Sequence, residues 1–237
     1  VVFPGFELLD VFGPMEILTA LSVFYKLSLS IIAAEPGLVS AGIPPFAHMA
    51  GAPESDFGYV ITPSIEATHS FDNAPPIDIL YVPGGLGVVT LDQDNDTSIE
   101  DFINLRYPRA EYLVGVSFGV APLARSGVLN GKRATTNKSG WKWITAHGEN
   151  ITWVPQARWV EDGNIWTTSG MASSLDATYA LFEMLYGPRT INYMTNVIEY
   201  APHLDPEWDP YSAVFNVPGS DGNATAADCV APLPVVR

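Results

Sequence analysis

An unbroken apolar run, Tyr112-Leu-Val-Gly-Val116, stops at Ser117 inside Gly115-Val-Ser-Phe-Gly119 and gives way at once to the helix-compatible Val120-Ala-Pro-Leu-Ala-Arg125. Few architectures accommodate a buried strand that turns directly into a helix. The turn has to lie at the carboxyl edge of a sheet, with the free N–H groups of the new helix beneath it. Side chains at Gly115 or Gly119 would collide with the turn or with the strand beside it. Ser117 thus takes a nucleophile's position, although a short Gly/Ser turn of this kind is also ordinary architecture and by itself decides nothing.

The rest of the chain alternates in the same style. Val1-Val2-Phe3 reads as the end of a buried strand stopped by Pro4-Gly5, and Pro14 marks the first turn of a helix that carries Met15, Leu18 and Leu21. Residues 27–34 read as a second strand, ended by Glu35-Pro-Gly37. Residues 38–68 form a long Gly/Pro-rich connection in which only Gly58-Tyr-Val-Ile-Thr62 is strand-like, and connections of that length often border a functional site. Asp78-Ile-Leu-Tyr-Val82 is a buried strand with the cluster Pro83-Gly84-Gly85-Leu86-Gly87 at its carboxyl end. Helices are expected from Ser98, over residues 118–126 and from Trp141, with a short strand at residues 133–136. Residues 157–160 and 165–168 flank Glu161-Asp-Gly-Asn164, a hairpin signal because Asp-Gly tolerates the positive φ of a tight turn. A helix over residues 173–185 stops at Gly187-Pro188, and a last one includes residues 197–200.

That order specifies an α/β fold: a mainly parallel sheet with helices on both faces, flavodoxin-like, carrying one small β-hairpin. One domain over residues 1–200 is expected, followed by an extended Pro-, Asp- and Gly-rich tail over 201–237 with no core of its own. In such a sheet the ligand edge collects Asp10, Gly84-Gly85 and Ser117.

A formal charge of −15 with only 11 Lys and Arg argues against nucleic acid or an anionic membrane surface as partner, since both require clustered cations. The apolar stretches are too short to span a bilayer. The single Cys229 cannot make an internal disulfide. Asn95-Asp-Thr, Asn137-Lys-Ser, Asn150-Ile-Thr and Asn223-Ala-Thr fit the glycosylation pattern, and the chain opens without Met inside an apolar strand, so cytoplasmic and secreted locations both stay open.

A hydrolase elbow would need a later acid and then a His. Of His48, His69, His147 and His203, only the last two follow Ser117, and both sit in loop-like sequence, so surface histidines are the better reading. No His-Glu-x-x-His pair or Cys/His cluster suggests a metal, and no cofactor is implied. Asp10 has an ordinary role as a cap of the helix near Pro14 and a functional one as a partly buried general acid or base beside Ser117. The Gly84-Gly85 turn is either a strand terminus or a set of backbone donors for an oxyanion.

Taken together and in order, Phe3-Pro-Gly-Phe-Glu-Leu-Leu-Asp10-Val-Phe-Gly-Pro14, Val82-Pro-Gly-Gly-Leu-Gly87, Gly115-Val-Ser-Phe-Gly119, Leu129-Asn-Gly-Lys-Arg-Ala-Thr-Thr136 and Trp159-Val-Glu-Asp-Gly-Asn-Ile-Trp-Thr-Thr-Ser-Gly170 resemble the ThiJ/PfpI superfamily, with its glutamine-amidotransferase-like fold. The pattern is nearest to the isocyanide hydratase branch and its fungal relatives. That resemblance implies a nucleophilic cysteine where Ser117 stands, and Asp10 matches the carboxylate placed beside it. It implies Gly84, Gly85, Leu86, Phe118, Gly119 and Asn137 as oxyanion or substrate-binding positions. Other branches carry a His near Asn137, so Cys-His chemistry is not expected here, and Phe118 replaces a small hydroxyl residue. The implied activity is addition of water to a small, electrophilic, largely apolar substrate, by a hydratase or lyase that acts as a homodimer. Ser117 would then be a natural variant or an engineered replacement of cysteine. The rival class is a ligand-binding member of the same fold without turnover.

Overall fold

The computed structural model describes residues 1–42 and 61–221. His48, most of the 58–62 stretch, Asn223 and Cys229 lie outside them. The first helix, α1 (Leu8–Leu21), is followed by β1 (Ile32–Ala33), β2 (Gly37–Ser40), β3 (Ser64–Ala67), β4 (His69–Ser70) and β5 (Ile79–Val82). After β5 come α2 (Gly87–Gln93), α3 (Ser98–Arg106), β6 (Tyr112–Val116), α4 (Val120–Arg125), β7 (Arg133–Ala134), α5 (Trp141–Ile144) and β8 (Thr152–Trp153). The chain continues through β9 (Trp159–Asp162), β10 (Ile165–Thr168), α6 (Met171–Tyr186), α7 (Pro188–Val197) and α8 (Tyr211–Val214).

The central sheet runs β5-β6-β10-β9. β6 is parallel to both neighbours, with Val82 opposite Gly115 and Val116 opposite Thr168, and β9 is the antiparallel arm of the expected hairpin. Alternate residues of each strand face opposite layers. Leu80, Val82 and Leu113 join one buried cluster with α2, α3 and α4, while Val114, Val116 and Trp166 join a second with α1, α6 and α7. The sheet is therefore covered on both faces, which is why its strands read as continuous apolar runs.

Several boundaries differ from the sequence expectation. α1 begins at Leu8, not near Pro14, and Pro14 lies inside it. Proline there removes the backbone hydrogen bond that would reach Asp10. Burial of Val11, Ile17 and Leu21 holds the helix across that gap. Residues 27–34 contribute only the short β1. The long connection contains β2 and β3, an antiparallel pair with Val39 opposite Ile65, and at its far end β4, parallel to β1. Ile61 and Thr62 are not in a strand. The helix that ends near residue 200 instead starts at Pro188 and stops at Val197, with proline in the first position, where no N–H is needed. Beyond it, residues 201–221 lie along the body: Arg158 N–H donates to Pro206 O at 2.7 Å, and Asp209 and Ser212 are buried.

Candidate active site

Ser117 leaves β6 with φ +54°, in the left-handed region that a β-carbon makes unfavourable, and opens a 3-10 turn, Ser117–Gly119, that feeds α4. Neighbouring packing enforces this bend. A β-carbon on Gly119 would lie 2.3 Å from Pro83 O and 2.5 Å from Val82 O, and one on Gly115 would lie 2.6 Å from Leu123. The elbow is clamped between the end of β5 and the helix it starts. Phe118 and Gly119 occupy the first turn, where backbone N–H groups have no acceptor within the helix.

Opposite the elbow, the Gly84-Gly85 turn is zipped to the loop before α1. Glu7 N–H donates to Gly84 O at 2.8 Å and Gly87 N–H to Gly5 O at 3.1 Å. Gly85 has φ +140°, and a β-carbon on it would meet Gly5 O at 2.2 Å. This contact brings Asp10, in the first turn of α1, to the elbow. Its Oδ2 accepts the Gly84 N–H at 2.9 Å. A β-carbon on Gly84 would be 2.7 Å from Asp10 Oδ2 and 2.9 Å from both Ser117 Cβ and Phe118 N, so all three residues converge on that glycine. Asp10 does not cap a helix: it lies inside α1, and its carboxylate is committed to Gly84.

Asp10 is completely buried, and its Oδ1 has no hydrogen-bond partner among the described residues. Burial pushes its carboxyl up to about 7; the Gly84 hydrogen bond opposes the shift and the charge of Glu7 adds to it. Near neutral pH this side chain can therefore give or take a proton through a free oxygen.

The third contributor is the loop after β7. Thr136 Oγ1 donates to Ser117 O at 2.7 Å and Asn137 Nδ2 donates to Ser117 Oγ at 3.0 Å. The Asn137 amide has a defined orientation, because its Oδ1 accepts from Ser139 N, Ser139 Oγ and Gly140 N at 2.9, 2.6 and 3.2 Å. Phe118 turns its ring away under Gly140 and stacks on Trp143 with centroids 6.0 Å apart, so it forms an apolar wall. Leu86 is half-buried at the start of α2 and packs into the core.

The expected set thus separates into two groups. Asp10, Gly84, Ser117, Phe118, Gly119 and Asn137 meet around the elbow, and Gly85 shapes the turn. Leu86 lies on the core side of that turn. Thr136 has no sequence signal beyond following a short strand. His147 meets Trp143 edge-on and faces Asp92 at 3.9 Å, while His203 stacks on Trp208, so Ser117 takes its hydrogen bonds from Asn137 and Thr136, not from these histidines. Among the described residues no group of His, Cys, Asp and Glu could hold a metal, and no helix is long and apolar enough to cross a membrane. A separate cavity of about 290 Å³, bounded by residues such as Val1, Met15, Ile31 and Phe182, is not lined by Asp10, Gly84 or Ser117.

A parallel sheet wrapped by helices, with a left-handed residue at its strand-to-helix elbow, a glycine turn opposite and a buried carboxyl between them, is the arrangement of a doubly wound α/β protein with its ligand edge at the elbow. The chain belongs to the DJ-1/PfpI family, whose pattern matches residues 1–184. It is 29% identical over 202 residues to the isonitrile hydratase of Pseudomonas putida, covering 85% of this chain and 77% of that protein. A ThiJ/PfpI family protein from Pseudomonas syringae superimposes with a TM-score of 0.67 at 25% identity, over 90% of this chain and 77% of that one. Drosophila melanogaster DJ-1beta shares the fold, with a TM-score of 0.61 at 17% identity, over 84% of this chain and 95% of that one.

Proposed function

We propose that this protein adds water to a small, electrophilic, largely apolar substrate of the isocyanide type, with Asp10 as general acid and base and Ser117 as the residue that holds the attacking water. The observation that carries the reading is the Asp10 carboxyl: fully buried at the elbow, with one oxygen free and its pKa pushed up by burial to about 7. The likeness to isonitrile hydratase supports the choice of substrate class.

For R–N≡C the balance is one water across the terminal carbon. Protonated Asp10 gives its hydrogen to that carbon, which becomes electrophilic; water adds to it, and the carboxylate takes the released proton. The resulting R–N=CH–OH shifts its hydroxyl hydrogen to nitrogen and leaves as R–NH–CHO. The Gly84 N–H steadies the Asp10 carboxylate while its proton is away, and N–H groups at Gly85, Phe118 and Gly119 are the donors for the oxygen of the hydrated product. Ser117 Oγ, already accepting from Asn137, holds the attacking water through its second lone pair. No base at Ser117 would make an alkoxide, so water rather than the serine oxygen is the nucleophile.

Incubation with aliphatic and benzylic isocyanides, following formamide by proton NMR, tests this reading. Turnover should vanish in Asp10→Asn, fall in part in Ser117→Ala, and rise in Ser117→Cys, where a thiolate can attack directly. If the wild type and all three variants are inert, the hydratase reading fails and a ligand-binding role takes its place.

A further inference from the structure

The strongest feature outside this chemistry is a buried lysine directly after Asn137. Lys138 is 3% exposed, and its Nζ donates to Thr135 Oγ1 at 2.7 Å, Ala157 O at 2.9 Å and Thr136 O at 3.2 Å. Neutral oxygens alone do not offset the cost of burying an ammonium. The counter-charge comes from far along the chain: Asp209 Oδ2 lies 3.5 Å from Nζ, and both side chains are 1% exposed. Asp209 is itself fixed, since its Oδ1 accepts the Tyr211 N–H at 3.0 Å and its carbonyl accepts from Ser212 Oγ at 2.8 Å and Gln156 Nε2 at 3.3 Å.

Residues 200–217, the strap that carries Asp209, have a second buried anchor. Asp176 forms a buried ion pair with Arg158, with Arg158 Nε at 2.6 Å, and its other oxygen accepts the hydroxyl of Tyr200 and the N–H of His203 at 3.0 Å. Trp208 lies between His203, 4.1 Å away, and the Arg158 guanidinium, 5.6 Å away. The strap is thus located by the body of the protein and presents Asp209 at a defined point. The loop it meets there is the one whose other side holds Ser117 through Thr136 and Asn137.

We propose that Lys138 and Asp209 are positioning residues of the elbow: the C-terminal strap, through Asp209, pins the Lys138 ammonium and thereby the loop that presents Asn137 to Ser117. The inference rests on Ser117 marking the reacting centre, and it does not depend on which substrate reacts there. Removing Asp209 takes away the counter-charge of the buried Lys138 ammonium, which then gives up its proton or shifts with the Thr135–Gly140 backbone around it, and in either case the loop is anchored less firmly. Asn137 is in that backbone and loses its aim.

The test uses the full chain with Ser117→Cys as a reporter, in a Cys229→Ser background, and reads alkylation by iodoacetamide at fixed pH. Asn137 hydrogen-bonds the thiolate in this reporter, so Asn137→Ala should slow alkylation by roughly 10-fold, the size of one hydrogen bond to a charged atom. Asp209→Asn should slow it by a comparable factor when Asn137 is present and by less than about 2-fold when Asn137 is already alanine, because the two act along one route. Asp209→Glu should restore most of the rate. Equal slowing in both backgrounds, or none in either, overturns the proposal. Should circular dichroism show that Asp209→Asn unfolds, Lys138→Met with Asp209→Leu fills the site with apolar atoms; it too must slow the reporter, and unchanged reactivity in that folded variant overturns the proposal. A reporter thiol no faster than a free one in every background removes the premise that Ser117 is the reacting centre, a result distinct from failed coupling and from absence of isocyanide turnover.

Discussion

Asn137 directs its amide nitrogen, not its oxygen, at Ser117 Oγ, 3.0 Å away, because three donors from Ser139 and Gly140 occupy the oxygen. The elbow hydroxyl is therefore held as an acceptor, and an oxygen or sulfur at that position gains stabilisation when it carries negative charge. Asn137→Asp separates this role from folding. A carboxylate keeps all three contacts to Ser139 and Gly140 but turns the remaining donor into an acceptor facing Ser117 Oγ. We expect turnover to fall at least about 10-fold while stability changes by less than about 1 kcal/mol. Thermal melts alongside formamide production check both halves, and a large loss of stability would show that the amide is mainly structural.

Asp10 sets a pH dependence of stability. Its folded-state carboxyl is raised from 3.8 to about 7, with burial as the leading cause. Between those values the folded chain binds the proton that the unfolded chain releases, so stability from this group is complete below about 4 and declines as pH rises to about 7. At about 1.4 kcal/mol per unit, the full loss is about 4 kcal/mol as an upper bound. Asp10→Asn removes the effect. In urea titrations the variant should gain on the parent steadily from pH 4 to pH 7 and hold a constant advantage above that. A constant difference across the whole range would mean that Asp10 is not appreciably protonated in the folded protein.

Much of this site is legible in the sequence because its signals are local. A strand run broken by Gly-x-Ser-x-Gly, and a second broken by Pro83-Gly84-Gly85, mark two turns whose backbones cannot carry side chains, and the contacts of Gly84 and Gly119 show why. The start of α1 is not legible. Pro14 favours a first turn locally, and only burial of Val11 and Asp10 against the rest of the protein moves the start back to Leu8. Likewise β2 and β3 are short, and Ser64–Ala67 becomes a strand by pairing with residues on the far side of a long connection. Lys138 reads as an ordinary loop lysine until Asp209 arrives from the end of the chain.

The two kinds of ion pair in the molecule should respond very differently to truncation. Arg158 and Asp176 have side chains 9% and 2% exposed, whereas Lys132 and Asp162, 3.2 Å apart, are 37% and 25% exposed. Removing one partner of a buried pair leaves the other charge uncompensated, so Arg158→Met should destabilise the protein by roughly 3–5 kcal/mol. Water takes over at the exposed pair, and Lys132→Ala should cost less than about 1 kcal/mol. Urea midpoints at pH 7 measure both. If the two variants are equally mild, the Arg158–Asp176 pair does not hold the strap against the body.

The packing of Phe118 against Gly140 gives a prediction of opposite-sign coupling. A β-carbon on Gly140 would lie 2.5 Å from Phe118 Cζ and no more than 3.0 Å from two further ring carbons, and the ring cannot swing clear because it is 7% exposed and stacked on Trp143. Gly140→Ala alone should therefore overpack the site and cost about 1–3 kcal/mol. Phe118→Leu alone withdraws the far end of the ring and leaves a void, costing about 1–3 kcal/mol by the same reasoning of lost contacts. Combined, the methyl of the new alanine enters the space that the ring vacates, so the double variant should be more stable than the sum of the two losses by about 1 kcal/mol or more. The same cycle read on turnover places Phe118 in the reaction. Its backbone N–H is a proposed donor to the reacting centre, and displacement of the ring by Gly140→Ala should lower turnover, with the double variant recovering part of the loss. Additive stabilities would show that the Thr135–Gly140 loop yields to the new methyl group and that the ring and loop are not rigidly matched.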